Sequence, residues 1–298
     1  MFSVRTDLAL EAHEAEMMNG GEIEGVVYNE SHRDGYAVKR VMIQNENGAR
    51  RMGKPVGNYI TIEAPDLRRD QAPLYRPVAY ALKRELLEMM RLLQDDAVMV
   101  IGLGNRRITP DALGPRTADK LLATRHLVMG GARDFKNSFR SVCAFSPGVL
   151  GITGIDTTEL TEVLTRAIKP ALVIAVDALA ARSASRLAAT FQLSDTGVSP
   201  GSGVSGNERE ISESALGVRV ISIGVPTVME AAALAADVAD VGREDAAKRM
   251  EGFDPNMFVT PNNIDVLVEA ASSIIALGLN CALHPALSPQ EIESLMSN

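Results

Sequence analysis

The pattern of hydrophobic positions changes its period along the chain. Residues 22–28, Tyr36–Ile43 and 58–64 alternate apolar and polar side chains and are separated by turns rich in Asn, Gly and Pro. Such alternation predicts antiparallel strands. From about Val78 onward, apolar residues recur at helical spacing, and short apolar runs alternate with helical segments. This second pattern is typical of strand–helix–strand units.

The later segments predict an α/β fold with a mostly parallel sheet. Three β-branched runs, 97–103, 171–176 and 218–223, have the continuous apolar character of strands buried on both faces. Helical spacing predicts helices between and after these strands, at 116–127, Thr157–Ile168, 227–241 and 263–279. The first segments then form an N-terminal β-rich extension to this core.

Composition narrows the range of functions. The 298 residues carry a net charge of −8 and only 4% aromatic side chains, without Trp, so no broad electrostatic footprint for direct nucleic-acid binding is present. No leader pattern and no apolar run of about 18 residues is found, so we expect a soluble intracellular protein with no membrane association. Cys143 and Cys281 lie far apart in apolar runs, which favours buried free thiols.

Two acidic residues are candidates for chemistry at the carboxyl ends of the predicted strands. Asp111 follows the first strand through a bend containing Gly102 and Gly104, and Asp177 stands directly after the run 171–176. Taken singly, each carboxylate is best explained as a helix cap. Taken together, they can share one proton and provide a base that activates water and an acid that protonates a leaving amine.

Other kinds of site are less favoured. The four histidines lack metal-ligand spacing, and the serines lack the strand–turn–helix elbow of a nucleophile. The Gly-x-Gly of the bend lacks the third glycine and the later acid of a dinucleotide site. We therefore expect no metal and no cofactor. The Gly- and Ser-rich segment 194–210 has two open interpretations, a ligand-facing loop or a plain surface loop.

Five long motifs follow one another along the chain: "GLGNRRITPDALGPR", "CAFSPGVLGITGIDTTE", "ALVIAVDALAAR", "SDTGVSPGSGVSGNERE" and "VISIGVPTVM". Over nearly the whole chain, their sequences and their order resemble those of one known family, the germination proteases of endospore-forming bacteria. The resemblance implies a three-layer α/β/α sandwich related to hydrogenase-maturation peptidases. It also implies that Asp111 and Asp177 correspond to the family's catalytic aspartates.

The resemblance implies an endopeptidase of the spore core cytoplasm, homotetrameric and without a cofactor. Its partners would be the small acid-soluble DNA-coating proteins of the spore, which it would degrade as substrates during germination. The same acids could alternatively hold a metal that assists hydrolysis. In a third hypothesis, the chain binds peptides without cleaving them, and the acids are only helix caps.

The family is made as a zymogen that cleaves itself near its N-terminus. The segment "RTDLALEA" resembles the family's cleavage sequence and implies self-cleavage between Asp7 and Leu8, with the start of an amphipathic helix as the alternative interpretation. The predicted organisation is a propeptide at 1–7 and one peptidase domain at 8–298, divided into the β-rich part 8–75 and the α/β core 76–298. The chain departs from the family in its short propeptide and in a shorter segment at 241–257.

Overall fold

A central β-sheet organises the computed structural model, which describes residues 6–130, 138–199, 209–239 and 257–297. Within these ranges the sheet has nine strands, in the order β1-β2-β3-β7-β8-β6-β4-β5, with β9 paired to β8. The strands are β1 Val26–Arg33, β2 Tyr36–Ile43, β3 Gly57–Glu63, β4 Val98–Gly102, β5 Val142–Phe145, β6 Leu172–Ala181, β7 Thr190–Ser194, β8 Val220–Glu230 and β9 Phe258–Val259.

The sheet has a parallel half and an antiparallel half. β4 pairs in parallel with β5 and β6, and β6 pairs in parallel with β8. From β8 the order continues through β7, β3, β2 and β1 by antiparallel pairs. The N-terminal strands therefore extend the central sheet through the β3–β7 pair.

Helices cover both faces of the sheet. Those of the described residues are α1 Ala9–Gly20, α2 Glu46–Met52, α3 Tyr75–Met90, α4 Leu113–Asp119, α5 Arg125–Met129, α6 Leu150–Thr153, α7 Thr157–Ile168, α8 Glu213–Leu216, α9 Ala231–Ala239, α10 Ile264–Leu283 and α11 Pro289–Met296. α10 packs against α3 and α4 on one face. Side chains of α7, α8 and α9 pack on the opposite face, and α1 and α2 lie over the antiparallel half. The α/β fold predicted from the sequence is confirmed.

The alternating side chains of β6 divide the core into its two faces. Ile174 and Val176 belong to the large cluster beneath α3 and α10, whereas Val173 and Ala175 point into the cluster beside α7. α10 is long and apolar enough to cross a membrane by length and composition, but most of it is buried inside this core. Its hydrophobicity is therefore that of a core helix.

Several predicted boundaries were wrong where one pattern fits two structures. The strand predicted at 171–176 continues as β6 to Ala181, and β8 occupies the first residues of the helix predicted at 227–241, because the two strands pair along their full extension. The helix predicted at 116–127 is instead α4 and α5 with a break between them. The last residues of 227–241 and nearly all of the segment 241–257 lie outside the described residues.

Gly114 allows α4 to begin directly against the sheet. A Cβ atom at this position would lie 2.3 Å from the Leu103 carbonyl oxygen and 2.4 Å from the Val176 carbonyl oxygen. Both neighbours are backbone atoms that cannot rotate away. The start of α4, and the turn that precedes it, therefore depend on glycine here.

We predict that Gly114→Ala lowers the free energy of unfolding by about 1–3 kcal/mol, because the added methyl group must push α4 away from β4 and β6. Urea denaturation followed by circular dichroism measures the change. Gly151→Ala is the matched control, since Gly151 lies in α6 with no atom within 4 Å of the new methyl group. Equal midpoints for Gly114→Ala and the wild type would contradict the prediction.

Candidate active site

Asp177 lies inside a buried strand and not at its end. Its side chain is only 4% exposed and accepts a 2.8 Å hydrogen bond from the Ala178 N–H. On one side Asp177 is opposite Gly224 of β8. On the other side β4 ends at Gly102, level with Val176. The carboxylate thus lies beside the point where β4 ends and the chain leaves the sheet as a loop.

Asp111 ends the short 3₁₀ turn Thr109–Asp111 in that loop. Its Oδ2 accepts a 2.7 Å hydrogen bond from the Asn105 N–H, so the carboxylate closes the glycine bend on itself. Gly104 has φ +108°, and a Cβ atom there would lie 2.1 Å from the Asp111 carbonyl oxygen. Burial raises the pKa of Asp111 above its ordinary value, partly offset by the Asn105 hydrogen bond.

The backbones that carry the two acids meet at the end of β4. The Leu103 N–H donates to the Val176 carbonyl oxygen at 2.8 Å, one residue before Asp177. The next residue, Gly104, is the one that contacts Asp111. The 3₁₀ turn also packs against β6, β8 and α10. The backbones that carry the two acids therefore meet near the end of β4, but Asp177 lies within β6 and not after its strand as the sequence predicted. The sharing of a proton stays a prediction.

A cavity of about 230 Å³ opens on the face of the sheet where Asp177 lies. Its acidic lining residues are Asp7, Asp177 and Glu210, and Lys54 is the one cationic side chain among the described residues that line it. The described ends of the loop 194–210 also border the cavity, through Ser194, Thr196, Gly197, Val198, Ser199 and Glu210. Residues 200–208 lie outside the described part of the chain.

The N-terminal segment enters this cavity. The Asp7 N–H donates to the Ala180 carbonyl oxygen at 3.1 Å, and the Ala180 N–H donates to Asp7 Oδ2 at 2.8 Å. Ala180 follows a break in the β6–β8 register, where Thr227 is the extra residue of β8. Bulges of this kind often lie beside active sites, where they redirect a short stretch of chain. The Asp7–Leu8 bond is thus attached to the strand that carries Asp177.

The side chains after Asp7 are deeply buried. Leu8 is 0% exposed and packs in a cluster with Leu179, Leu187 and Met229. Ala9 is also fully buried, in a separate cluster beneath α1. The segment around the predicted cleavage bond is therefore held by apolar packing as well as by hydrogen bonds.

A charged network fixes α1 behind that bond. The buried Glu11 carboxylate accepts hydrogen bonds from the Arg182 and Ser183 N–H groups at 2.6 and 3.0 Å. The Arg186 guanidinium contacts Glu11, Glu14 and Glu63. Burial alone would raise the pKa of Glu63, but hydrogen bonds from Lys39 and Arg186 lower it below the ordinary value.

Lys54 and Gln192 are residues of the cavity that sequence reasoning missed. Lys54 follows α2, and burial lowers its pKa, an effect that the nearby Asp7 and Glu11 carboxylates oppose. Gln192 lies on β7, a five-residue strand that the hydrophobic pattern did not indicate. No motif singles out either residue, because only the folded chain brings them to Asp7.

Other expectations concern cysteines and metals. Cys143 and Cys281 are free thiols, as predicted, but only Cys281 is buried, whereas Cys143 is half-buried. The described ranges contain no group of three or more His, Cys, Asp and Glu side chains arranged to hold a metal ion.

Comparisons with known proteins identify the chain's relatives. Residues 4–250 match the family model described as germination protease. The chain is 41% identical to a germination protease of Caldanaerobacter subterraneus subsp. tengcongensis, covering 99% of each chain. It is also 39% identical to a germination protease of Clostridium perfringens, with 100% of both chains aligned. The identity to a germination protease of Clostridium tetani is 39% as well, over 99% of this chain and 100% of the relative.

A solved structure gives a weaker likeness. A nickel–iron hydrogenase maturation protease of Thermococcus kodakarensis aligns with 65% of this chain and 98% of its own, at 17% identity and a TM-score of 0.34.

We predict that Arg186→Met lowers the free energy of unfolding by about 3 kcal/mol, because it leaves the buried Glu11 and the partly buried Glu63 without their shared cation. Urea denaturation at neutral pH measures this loss. The control is Arg166→Met, which removes an exposed arginine whose ion pair with Glu162 is 4.0 Å long and should shift stability by less than about 0.5 kcal/mol. Equal losses in the two variants would show that the network does not anchor α1.

Proposed function

The chain belongs to the germination protease family, and from this premise we propose that it is an endopeptidase that uses Asp111 and Asp177 to activate water and that is made as a self-cleaving zymogen. The proposal is supported most directly by one observation. Asp7 lines the same cavity as Asp177, although Asp111 does not, and Asp7 is hydrogen-bonded to the strand that carries Asp177. A peptide bond in this position is a substrate already bound within the molecule.

The two acids have different roles in the proposed hydrolysis. One carboxylate takes a proton from water as the water oxygen attacks the carbonyl carbon, and the protonated partner gives its proton to the leaving amine nitrogen. The raised pKa of Asp111 supports this scheme, since a neutral carboxyl group is needed at the start. Because interacting carboxylates titrate as a pair, base and acid roles belong to the dyad as a whole.

Self-cleavage after Asp7 would release the propeptide 1–7. The four residues around the bond, Thr6, Asp7, Leu8 and Ala9, resemble the cleavage sequence of the family, a hydroxyl residue and an acid followed by an aliphatic residue and alanine. The full burial of Leu8 and Ala9 explains such a preference physically, because only apolar side chains of suitable size fill these two pockets.

The proposed partners follow from the family. We propose that the substrates in trans are small acid-soluble DNA-coating proteins of the spore, degraded in the spore core during germination, and that the enzyme assembles as a homotetramer. A disordered substrate would occupy the cavity in the extended form that residues 6–8 adopt here. No cofactor is part of the proposal.

We predict that Asp111→Asn and Asp177→Asn each abolish self-cleavage while the protein stays folded, because asparagine keeps the shape of the side chain but cannot accept the proton of water. Intact-mass spectrometry after incubation measures the loss of residues 1–7. Asp156→Asn is the matched control, since Asp156 caps α7 through the Glu159 N–H and asparagine caps helices equally well. Cleavage at the wild-type rate in both variants would remove the aspartate pair from the mechanism.

The raised pKa of Asp111 also predicts the pH dependence of self-cleavage. The carboxyl group of Asp111 stays neutral above about pH 3.9, where an ordinary aspartate ionises, and it loses its proton as the pH rises through the raised pKa. The rate should therefore be highest in mild acid and fall on the alkaline side. Single-turnover rates measured across pH, with circular dichroism at each pH as a check of folding, test this. A rate that rises steadily from pH 5 to 8 would contradict the assignment.

A further inference from the structure

The carbonyl oxygen of Asp7 accepts hydrogen bonds from two side chains of the cavity. Lys54 Nζ donates to it at 3.2 Å, and Gln192 Nε2 donates to it at 3.1 Å. Lys54 Nζ also donates to the Thr6 carbonyl oxygen at 3.0 Å, which holds the ammonium group in place. The carbonyl of the proposed cleavage bond therefore already lies between a cationic donor and a neutral donor.

The sheet places Gln192 and Asp177 on either side of Gly224. Gln192 of β7 is opposite Gly224 of β8, and Gly224 is opposite Asp177 of β6. Directly opposed residues project from the same face of a sheet, and neighbouring strands lie about 4.8 Å apart, so the Cα atoms of Gln192 and Asp177 are about 10 Å apart. Gly224 carries no side chain, and a Cβ atom there would lie 2.4 Å from Leu179 Cδ1, so this glycine makes room for the Leu179 side chain on the same face.

Gln192 also fixes the position of the chain beyond the bond. Its Oε1 accepts a 2.7 Å hydrogen bond from the Ala9 N–H, while its Nε2 donates to the Asp7 carbonyl. One planar amide thus contacts the backbone on both sides of the Asp7–Leu8 bond. A shift of the segment by one residue would break both contacts.

We propose that Lys54 and Gln192 form the oxyanion hole of the enzyme, an inference that rests on the proposed self-cleavage at Asp7–Leu8. When the water oxygen bonds to the Asp7 carbonyl carbon, the electron pair of the C=O double bond moves to the oxygen, where the two donors stabilise the negative charge. The pair returns as the C–N bond breaks, and the Leu8 nitrogen leaves with a proton. Preorganised donors of this kind strengthen their interaction as charge develops.

The charge distribution supports this role for Lys54. Asp7, Asp177 and Glu210 make the rest of the described lining acidic, an environment that by itself opposes a developing oxyanion. A single ammonium group in contact with the reacting oxygen offsets that repulsion. Since Lys54 and Gln192 touch the bond to be cleaved, they are catalytic residues in this proposal.

The test compares the single-turnover rate of self-cleavage in the full chain carrying Lys54→Met, Lys54→Arg, Gln192→Met or Gln192→Glu. Loss of one oxyanion donor is expected to slow cleavage about 100-fold, and Lys54→Arg should recover part of the rate because it restores a cationic donor. Gln192→Glu keeps the acceptor for Ala9 but removes the donor, so it should also be slow. The matched control is Lys83→Met on α3, a lysine outside the cavity, which should cleave at the wild-type rate.

A second measurement separates catalysis from simple binding of the segment. In a chain made inactive by Asp177→Asn, hydrogen exchange of the Asp7 and Ala9 amides reports whether residues 7–9 stay docked. We expect that adding Lys54→Met leaves the protection of both amides within about threefold, although the same change slows cleavage about 100-fold. Loss of protection equal to the loss of rate would overturn the catalytic role and leave only a docking role.

Failure of this inference is distinguishable from failure of the proposed function. If Asp177→Asn abolishes cleavage but Lys54→Met and Gln192→Met both cleave at the wild-type rate, the oxyanion hole is wrong and the aspartate mechanism stands. If Asp177→Asn itself cleaves normally, the proposed function fails. A variant that does not fold, as seen by circular dichroism, is replaced by Lys54→Gln, which keeps a neutral donor and should still be slower than wild type.

Discussion

The structure depends on the burial of a carboxylate in the middle of an apolar strand. Asp177 belongs to a strand that is buried along almost its whole length, and a charged group in such a position is costly unless polar groups surround it. The fold meets this requirement by ending β4 beside it and by opening a polar cavity on the same face. The site is therefore a consequence of how the sheet accommodates one acid.

The N-terminal segment completes that arrangement. Asp7 forms hydrogen bonds with the N–H and the carbonyl oxygen of Ala180, and the neighbouring Leu8 packs in an apolar cluster. Behind them, Glu11 and Arg186 attach α1 to the turn that follows β6. The contacts of Leu8, Glu11 and Arg186 lie after the proposed cleavage bond, so the body of the protein keeps α1 in place when the first residues leave. The residues to be released are therefore separate from the residues that stabilise the fold.

The sequence pattern singled out the two acids and missed Lys54 and Gln192 for a physical reason. Asp177 is conspicuous because it interrupts an apolar run, and Asp111 because it follows a glycine bend, both local properties of the chain. Gln192 reaches Asp7 only through the register of β7, β8 and β6, and Lys54 only through the position of the turn between α2 and β3. The extension of β8 was also missed, since its apolar residues fit a helix as well as a strand until the pairing with β6 decides between them.

The proposed cleavage position follows from register more than from the identity of one residue. The hydrogen bonds between Asp7 and Ala180 are possible in only one register of the segment, and so are the two hydrogen bonds of Gln192. The burial of Leu8 requires the same register. A one-residue slip in an extended segment exchanges the side chains that face the core and the cavity. Such a slip would turn Leu8 toward the acidic groups and bury Asp7 among apolar side chains. Its free-energy cost therefore keeps the neighbouring peptide bonds out of the proposed cleavage position. In the proposed cleavage Leu8 and Ala9 stay with the body of the protein, so the contacts that become free for a substrate in trans are those that Asp7 makes with Ala180, Lys54 and Gln192.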